Sequence, residues 1–400
     1  MSEEEGSRRM KILIVRGFPE KINLGGYNVQ ETGLASALRR KGQICDIVFF
    51  GGNEPEHEEV RPDGTKIIWL PGKNLLKNGI MPSVKKLAQQ YDVLQLQEYD
   101  QLQSWLLYTF GKKPAVIYHG PYFDAFNHGY NAKCRVFDHL FLPFSGRAKR
   151  KTMCLTKSPL AADFLREKGF SHVKSVGVGF DASSMEDGSE PRDNAVTEAM
   201  PEDAWNLFYV GKLEERRNIP FLLDVMEQAA TQYPKSGGPK SRSRIHCVIV
   251  GTGEETYLEQ VMPRIREMEN RGILSYIPKA SQKELGPAYE KADIFLFPTQ
   301  YDIFGMVLLE AMYHGCACIS SRNGGSATLL TPENGVELQN FALKDWTGAV
   351  LRLLADPSSL AAVKERAKER VRDHGQWDQI ADLFLEAYQY AISQEASDKG

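Results

Sequence analysis

Two acids, Asp302 and Glu310, stand with seven residues between them in the stretch ADIFLFPTQYDIFGMVLLEAMYHGCACIS, and their company suits the holding of a polar ligand. The apolar run 294–297, closed by Pro298, reads as a buried parallel strand, and Asp302 falls in the loop after it. Val307, Leu308, Ala311 and Met312 then recur at helical spacing, Gly315 stops the pattern, and 316–320 gives a second apolar strand. A helix starting near Phe304 puts Glu310 about two turns in, with the N–H groups of Phe304, Gly305 and Met306 at the positive end of its dipole. Carboxylates accept hydrogen bonds from hydroxyls, and a helix N-terminus favours phosphate. Taken alone, Asp302 is equally a turn residue and Glu310 a solvated helix acid.

Two cations and a histidine have comparable settings. Lys212 and Arg217 lie between a strand at 207–210, ended by Gly211, and a helix beginning near Ile219-Pro220, where proline in the first turn costs no hydrogen bond. Cations on a loop edge can neutralise a diphosphate, arginine in a forked fashion and lysine as a point charge. Glu214 and Glu215 beside them keep the plain solvated reading open. His119 ends the run 115–119 ahead of Gly120-Pro121, which is the ligand-facing edge of an open α/β sheet; a structural histidine is the other reading.

The elements that must position these residues come in two sets. Runs at 11–15, 44–50, 66–70, 93–97 and 115–119 read as strands, and a helical pattern through Thr32, Leu34 and Leu38 ends at Gly42. The loop 16–27 contains Gly25 and Gly26, where a ligand could approach the backbone with no Cβ in the way. A strand and helix follow at 152–165, and 173–181 closes the first set. Residues 181–203 are rich in Ser, Asp, Glu, Gly and Pro without apolar periodicity, as a linker would be. The strand grammar restarts at 207–210, 246–250 and 273–277. Gly251 and Gly253 form a turn that lacks the third glycine of a dinucleotide fingerprint. Helical patterns then cover 343–354, 360–372 and 379–392, the last with Leu383, Phe384, Ala387, Tyr388 and Ile392 on one face.

Four hundred residues suit two domains, and 42% hydrophobic with 25% charged residues describes a globular chain. The net charge of -3 argues against wholesale nucleic-acid binding. No apolar run approaches a membrane span, and the leader MSEEEGSRRM is acidic where a signal peptide is basic, so a cytoplasmic location is expected. The six cysteines have no zinc-finger spacing and read as reduced. Residues 133–157 combine Arg135, Arg147, Lys149, Arg150 and Lys151 with Phe137, Leu140, Phe141, Leu142 and Phe144. A buried strand at 139–144 with solvated cations is the favoured reading there, and peripheral contact with an anionic bilayer is the other.

The segment from Asp302 through Ile303-Phe304-Gly305 to Glu310-Ala311-Met312 and His314-Gly315 resembles the E-x7-E motif of retaining GT-B glycosyltransferases of the family-4 type. Asp302 stands where that family usually has Glu. The loop from Gly211 to Asn218 resembles its G-R-L-x-x-x-K-G, with the cations exchanged as Lys212 and Arg217. Asn323-Gly324-Gly325 resembles its G-G-x-x-E, with Thr328 in place of the acid. The resemblance runs from Lys11 to about Ser393. It implies a GT-B fold of two doubly wound, Rossmann-like α/β domains facing a cleft: an acceptor domain at 10–181, a linker at 182–205, a nucleotide-sugar donor domain at 206–376, and a C-terminal helix at 377–393 returning to the first domain.

It further implies transfer, with retention, from a nucleotide-diphosphate sugar, foremost a UDP-sugar, to a carbohydrate or lipid-linked acceptor, with no cofactor or metal required. In that reading Glu310 accepts from ribose hydroxyls, Lys212 and Arg217 hold the diphosphate, Asp302 and the N–H groups of Ile303, Phe304, Gly305 and Met306 hold the donor, and His119 contacts donor hydroxyls. Gly25, Gly26, Gly211, Gly251, Gly253 and Pro278 line the nucleotide side. A non-catalytic nucleotide-sugar binder and a sugar-nucleotide 2-epimerase are the alternatives on the same fold.

Overall fold

The computed structural model describes residues 9–20, 22, 29–75, 77–181, 193–233 and 242–397; Gly25, Gly26 and the acidic leader up to residue 8 fall outside them. The chain divides into two compact units, Met1–Phe180 with Trp377–Gly400, and Asp181–Gln376.

The first unit is built on strands β1 (Lys11–Arg16), β2 (Ile44–Phe50), β3 (His57–Val60), β4 (Lys66–Leu70), β5 (Lys73–Leu75), β6 (Asn78–Ile80), β7 (Val93–Gln97), β8 (Ala115–His119), β9 (Met153–Thr156) and β10 (His172–Ser175). Eight form one sheet in the order β10-β9-β8-β7-β1-β2-β4-β3, parallel except at the antiparallel edge pair β3–β4, while β5 and β6 make a separate hairpin. Residues 12–15 of β1, all of β7 and residues 116–119 of β8 are buried because helices cover both faces of a parallel sheet.

The last helix, Trp377–Ser397, belongs to this unit. Phe384 packs edge-on against Tyr118 of β8 at 5.0 Å, and the Tyr388 hydroxyl donates to Gln95 of β7. Trp377 lies over Gly33 and Gly179; a Cβ at either glycine would come within 2.2 Å of the indole. Any larger residue at those positions displaces the start of the helix.

The strand expected at 139–144 is not there. Residues 128–145 form the helix His128–Leu140 and a short 3-10 turn, Leu142–Ser145, followed by the helix Gly146–Lys151. Cys134 and Phe137, at helical spacing, are the buried side, while Val136, Leu140 and Phe144 are exposed at 57%, 53% and 69%. A short apolar run reads alike as strand or helix, and here the buried pair three residues apart decides it.

The second unit holds β11 (Ala204–Val210), β12 (Arg244–Val250), β13 (Leu274–Ile277), β14 (Ile294–Phe297), β15 (Ala317–Ser321) and β16 (Gly335–Leu338) in one parallel sheet, ordered β13-β12-β11-β14-β15-β16. Its core joins Leu207, Ile249, Leu296 and Ile319 of the sheet to Leu222 and Met226 of the helix Ile219–Gln232 and to Trp346 and Val350 of the helix Leu343–Ala355. The chain runs outward from β11 to β12 and β13, then returns to add β14 on the other side of β11. The carboxyl ends of β11 and β14 therefore open onto the crevice where such sheets bind ligands.

Candidate active site

Strand order brings one of the two predicted cations, Arg217, to the loop acid. Arg217 follows β11 and Asp302 follows β14, and the two strands are direct neighbours. Arg217 Nη1 donates to Asp302 Oδ2 at 2.7 Å, with only 12% and 15% of the side chains exposed. Asp302 Oδ1 accepts from the N–H groups of Phe304 at 3.1 Å and Gly305 at 2.7 Å. One carboxylate thus ties the cation loop to the mouth of the helix Met306–Tyr313. Gly305 takes a left-handed turn there at φ 73°, which suits a residue without a side chain.

Arg217 is braced further by Thr299 Oγ1 at 3.3 Å and by the Phe297 ring, 5.2 Å from its guanidinium carbon. Arg216, which sequence reasoning passed over, reaches the same place: its Nε pairs with Glu214 at 2.7 Å, its Nη1 donates to the Tyr301 carbonyl at 2.8 Å, and Asp302 lies at 3.6 Å. The tandem arginines at 216 and 217 were the available signal. Lys212 is half-exposed and reaches Glu254 at 3.3 Å and Glu214 at 3.7 Å, the neutralisation by Glu214 that its neighbourhood suggested.

Glu310 sits in the second turn of its helix, which begins at Met306 rather than near Phe304. It is 1% exposed and accepts from Gln282 Nε2 and the Tyr289 hydroxyl, each at 3.3 Å, so both donors hold the carboxylate in one orientation. Phe304 is buried, Ile303 and Met306 half-buried. Pro278 is exposed beyond the edge strand β13, two strands from the Arg217–Asp302 pair.

The glycines have local reasons. A Cβ on Gly251 would meet the Gly211 carbonyl oxygen at 1.9 Å, and one on Gly253 the Leu213 carbonyl oxygen at the same distance, because the turn after β12 lies flat on the loop after β11. The Leu213 N–H donates to the Thr252 carbonyl at 2.9 Å across that contact. Gly324 and Gly325 likewise press against the Ile303 and Phe304 carbonyls, within 2.2 Å of an added Cβ. Thr328 turns its hydroxyl back to the Gly324 carbonyl at 2.7 Å, so the residue in the acid's place finishes the local turn.

In the first unit His119 ends β8 at the carboxyl edge of the sheet, with 0% exposure. Its Nδ1 faces Glu98, which holds a left-handed backbone at φ 57° and also accepts from the Gly120 N–H at 3.1 Å. The ring stacks on Phe164 at 5.6 Å and meets Tyr99 edge-on at 5.2 Å. Burial alone would raise the Glu98 carboxyl, but the charge and hydrogen bond of His119, helped by Lys157 and the Gly120 N–H, hold it below the ordinary carboxylate range. Glu98 was not foreseen from sequence; an acid immediately after the strand 93–97 was the signal.

All six cysteines are buried and free, and burial pushes the thiols up, Cys134 and Cys316 to about 12. Among the described residues no helix is long and apolar enough to cross a membrane.

The family model of glycosyl transferases group 1 matches residues 192–370. Among curated proteins, a D-inositol 3-phosphate glycosyltransferase of Kineococcus radiotolerans is 24% identical over 213 residues, 50% of this chain and 48% of that protein. The chain thus spans about half the length of that relative. An uncharacterized glycosyltransferase of Methanocaldococcus jannaschii is 23% identical over 402 residues, 96% of this chain and 99% of that one. Among solved structures, Alr3699/HepE of Anabaena in complex with UDP superposes with a TM-score of 0.69 at 14% identity, over 95% of this chain and 100% of that chain. A likeness at that identity is one of fold, and the fold is GT-B.

Proposed function

We propose that this chain, whose residues 192–370 belong to the glycosyl transferases group 1, moves a sugar from a UDP-sugar to a glycan, glycolipid or small-molecule acceptor with retention of configuration. The observation that carries the reading is the Arg217–Asp302–Gly305 N–H linkage at the β11/β14 switch point, which sets a fixed cation beside a helix mouth. As the bond from sugar to phosphate breaks, negative charge grows on the departing diphosphate, and preorganised cations and N–H dipoles stabilise it. Lys212 and Arg217 supply the charges. Glu310, oriented by Gln282 and Tyr289, accepts from the ribose hydroxyls, Asp302 holds the donor sugar, and His119 acts on donor hydroxyls. The UDP complex of the similar Anabaena protein supports uracil as the base.

For the acceptor, the exposed Val136, Leu140 and Phe144 accompany Arg135, Arg147 and Lys151 in one helical stretch, a composition that suits a lipid-linked substrate at an anionic bilayer. Sedimentation with anionic vesicles at low salt tests that part, and no binding removes it. The binder without turnover is a second reading for one reason: both Asp302 oxygens already accept hydrogen bonds, from Arg217 and from two N–H groups, before any sugar arrives. Incubation with UDP-sugars separates the readings. Slow release of UDP with an unaltered sugar supports transfer, no release supports a binder, and UDP with an altered free sugar supports 2-epimerase chemistry.

A further inference from the structure

At the carboxyl edge of the β7–β8 pair, Glu98, Asp100 and His119 each bring one donor atom into a group whose members lie within 4.8 Å of one another. The residues are 6%, 1% and 0% exposed. Their convergence depends on the left-handed backbone of Glu98, φ 57°, a conformation that a non-glycine residue keeps only where its surroundings enforce it. The Gly120 N–H holds Glu98 from outside the group, as the outer hydrogen bonds of ligand carboxylates do.

The hydrogen bonds inside the group do not close. Two carboxylates face one histidine, Lys157 beside Glu98, and Lys133, whose Nζ is 3.8 Å from Asp100 Oδ2 and whose side chain is 32% exposed. Neither Asp100 oxygen has a hydrogen-bond partner among the described residues, and neither does His119 Nε2. The Asp100 carboxyl group is thus buried without a donor, which is costly. A dication drawing one atom from each residue would give the Asp100 oxygens the partner they lack.

We propose that Glu98, Asp100 and His119 bind one divalent cation of the class that accepts mixed nitrogen and oxygen ligands, zinc or manganese rather than calcium or magnesium. Three protein ligands leave at least one position on the ion for a further oxygen ligand. The site lies in the first unit and shares His119 with the UDP-sugar reading, but its test reads ion binding and not turnover, so the two can fail separately.

The experiment uses the untagged full-length chain, stripped with a chelator and titrated with zinc and then manganese by calorimetry, with elemental analysis after dialysis. One ion per chain is expected, with affinity falling roughly tenfold or more in Asp100→Asn and in Glu98→Gln. Circular dichroism confirms that each variant is folded. Should either fail to fold, manganese added to the wild-type chain with labelled histidines must broaden the His119 imidazole signals ahead of the other histidines. Absence of saturable binding below on the order of 100 µM, wild-type affinity in a folded variant, or broadening centred on another histidine overturns the proposal.

Discussion

The Arg217–Asp302 pair is open to a double-mutant cycle with Arg217→Gln, Asp302→Asn and both together. At 2.7 Å and an effective dielectric constant of about 20, the gross attraction of two unit charges is 332/(20 × 2.7), about 6 kcal/mol. Desolvation of two side chains that are mostly withdrawn from water opposes this. A charged hydrogen bond retains roughly 1.5–3 kcal/mol net, and that is the expected coupling energy. Asp302→Asn keeps an oxygen for the Phe304 and Gly305 N–H groups but can set an amide N–H against the guanidinium, so the single variant is destabilised by about the same amount. Urea unfolding monitored on the second unit measures the coupling, and calorimetry with UDP measures the ligand side. Arg217→Gln should lose UDP affinity by roughly 10- to 150-fold, the equivalent of the same 1.5–3 kcal/mol, whereas Asp302→Asn should bind UDP at least as well as wild type. A coupling below about 0.5 kcal/mol would show that the pair is no brace, and unchanged UDP affinity in Arg217→Gln would refute the cation's assignment.

Lys212→Ala should weaken UDP by roughly tenfold with little change in melting temperature, because its ion pairs are half-exposed; a large melting shift would make it structural. Glu310→Gln keeps one acceptor oxygen, for Gln282, and its amide N–H can donate to the Tyr289 hydroxyl in place of the second, so calorimetry should report weaker UDP while the melt stays near wild type; collapse of the melt would assign Glu310 to the core instead. His119→Ala should reduce turnover while UDP binding persists, since the residue belongs to the other unit. The depressed Glu98 carboxyl contributes stability that is present above the ordinary glutamate range, about pH 4.3, and is lost as pH falls through its lower folded value. Acid titration of Glu98→Gln should therefore show a shallower loss than wild type, and identical slopes would contradict the cause given for the shift.

Much of the sheet architecture was legible because parallel strands buried on both faces are apolar runs, and 93–97, 115–119 and 294–297 are of that kind. The helices Glu255–Asn270 and Gln282–Lys291 were hidden by Pro263 and Pro287, which lie inside them. The edge strand β3, fully exposed as His-Glu-Glu-Val, offered no apolar signal. Within the site, residue types and loop placement could be read, but not partnership. Asp302 and Arg217 are 85 positions apart, and only the return of the chain to the far side of β11 makes them neighbours. The burial of His119 was illegible for the same reason, since Phe164 and Glu98 come to it from different elements.

The segment from Trp377 onward completes the unit that the first 180 residues began, so the second unit is an insertion within the first. During synthesis, therefore, β7 and β8 wait without Tyr388 and Phe384 until the whole intervening unit has been made. The second unit can close on its own as it leaves the ribosome, whereas the first keeps an uncovered apolar face to the end. A stop codon near residue 376 would be felt roughly 260–280 positions upstream, at β7 and β8, as exposure of that face to chaperones and proteases.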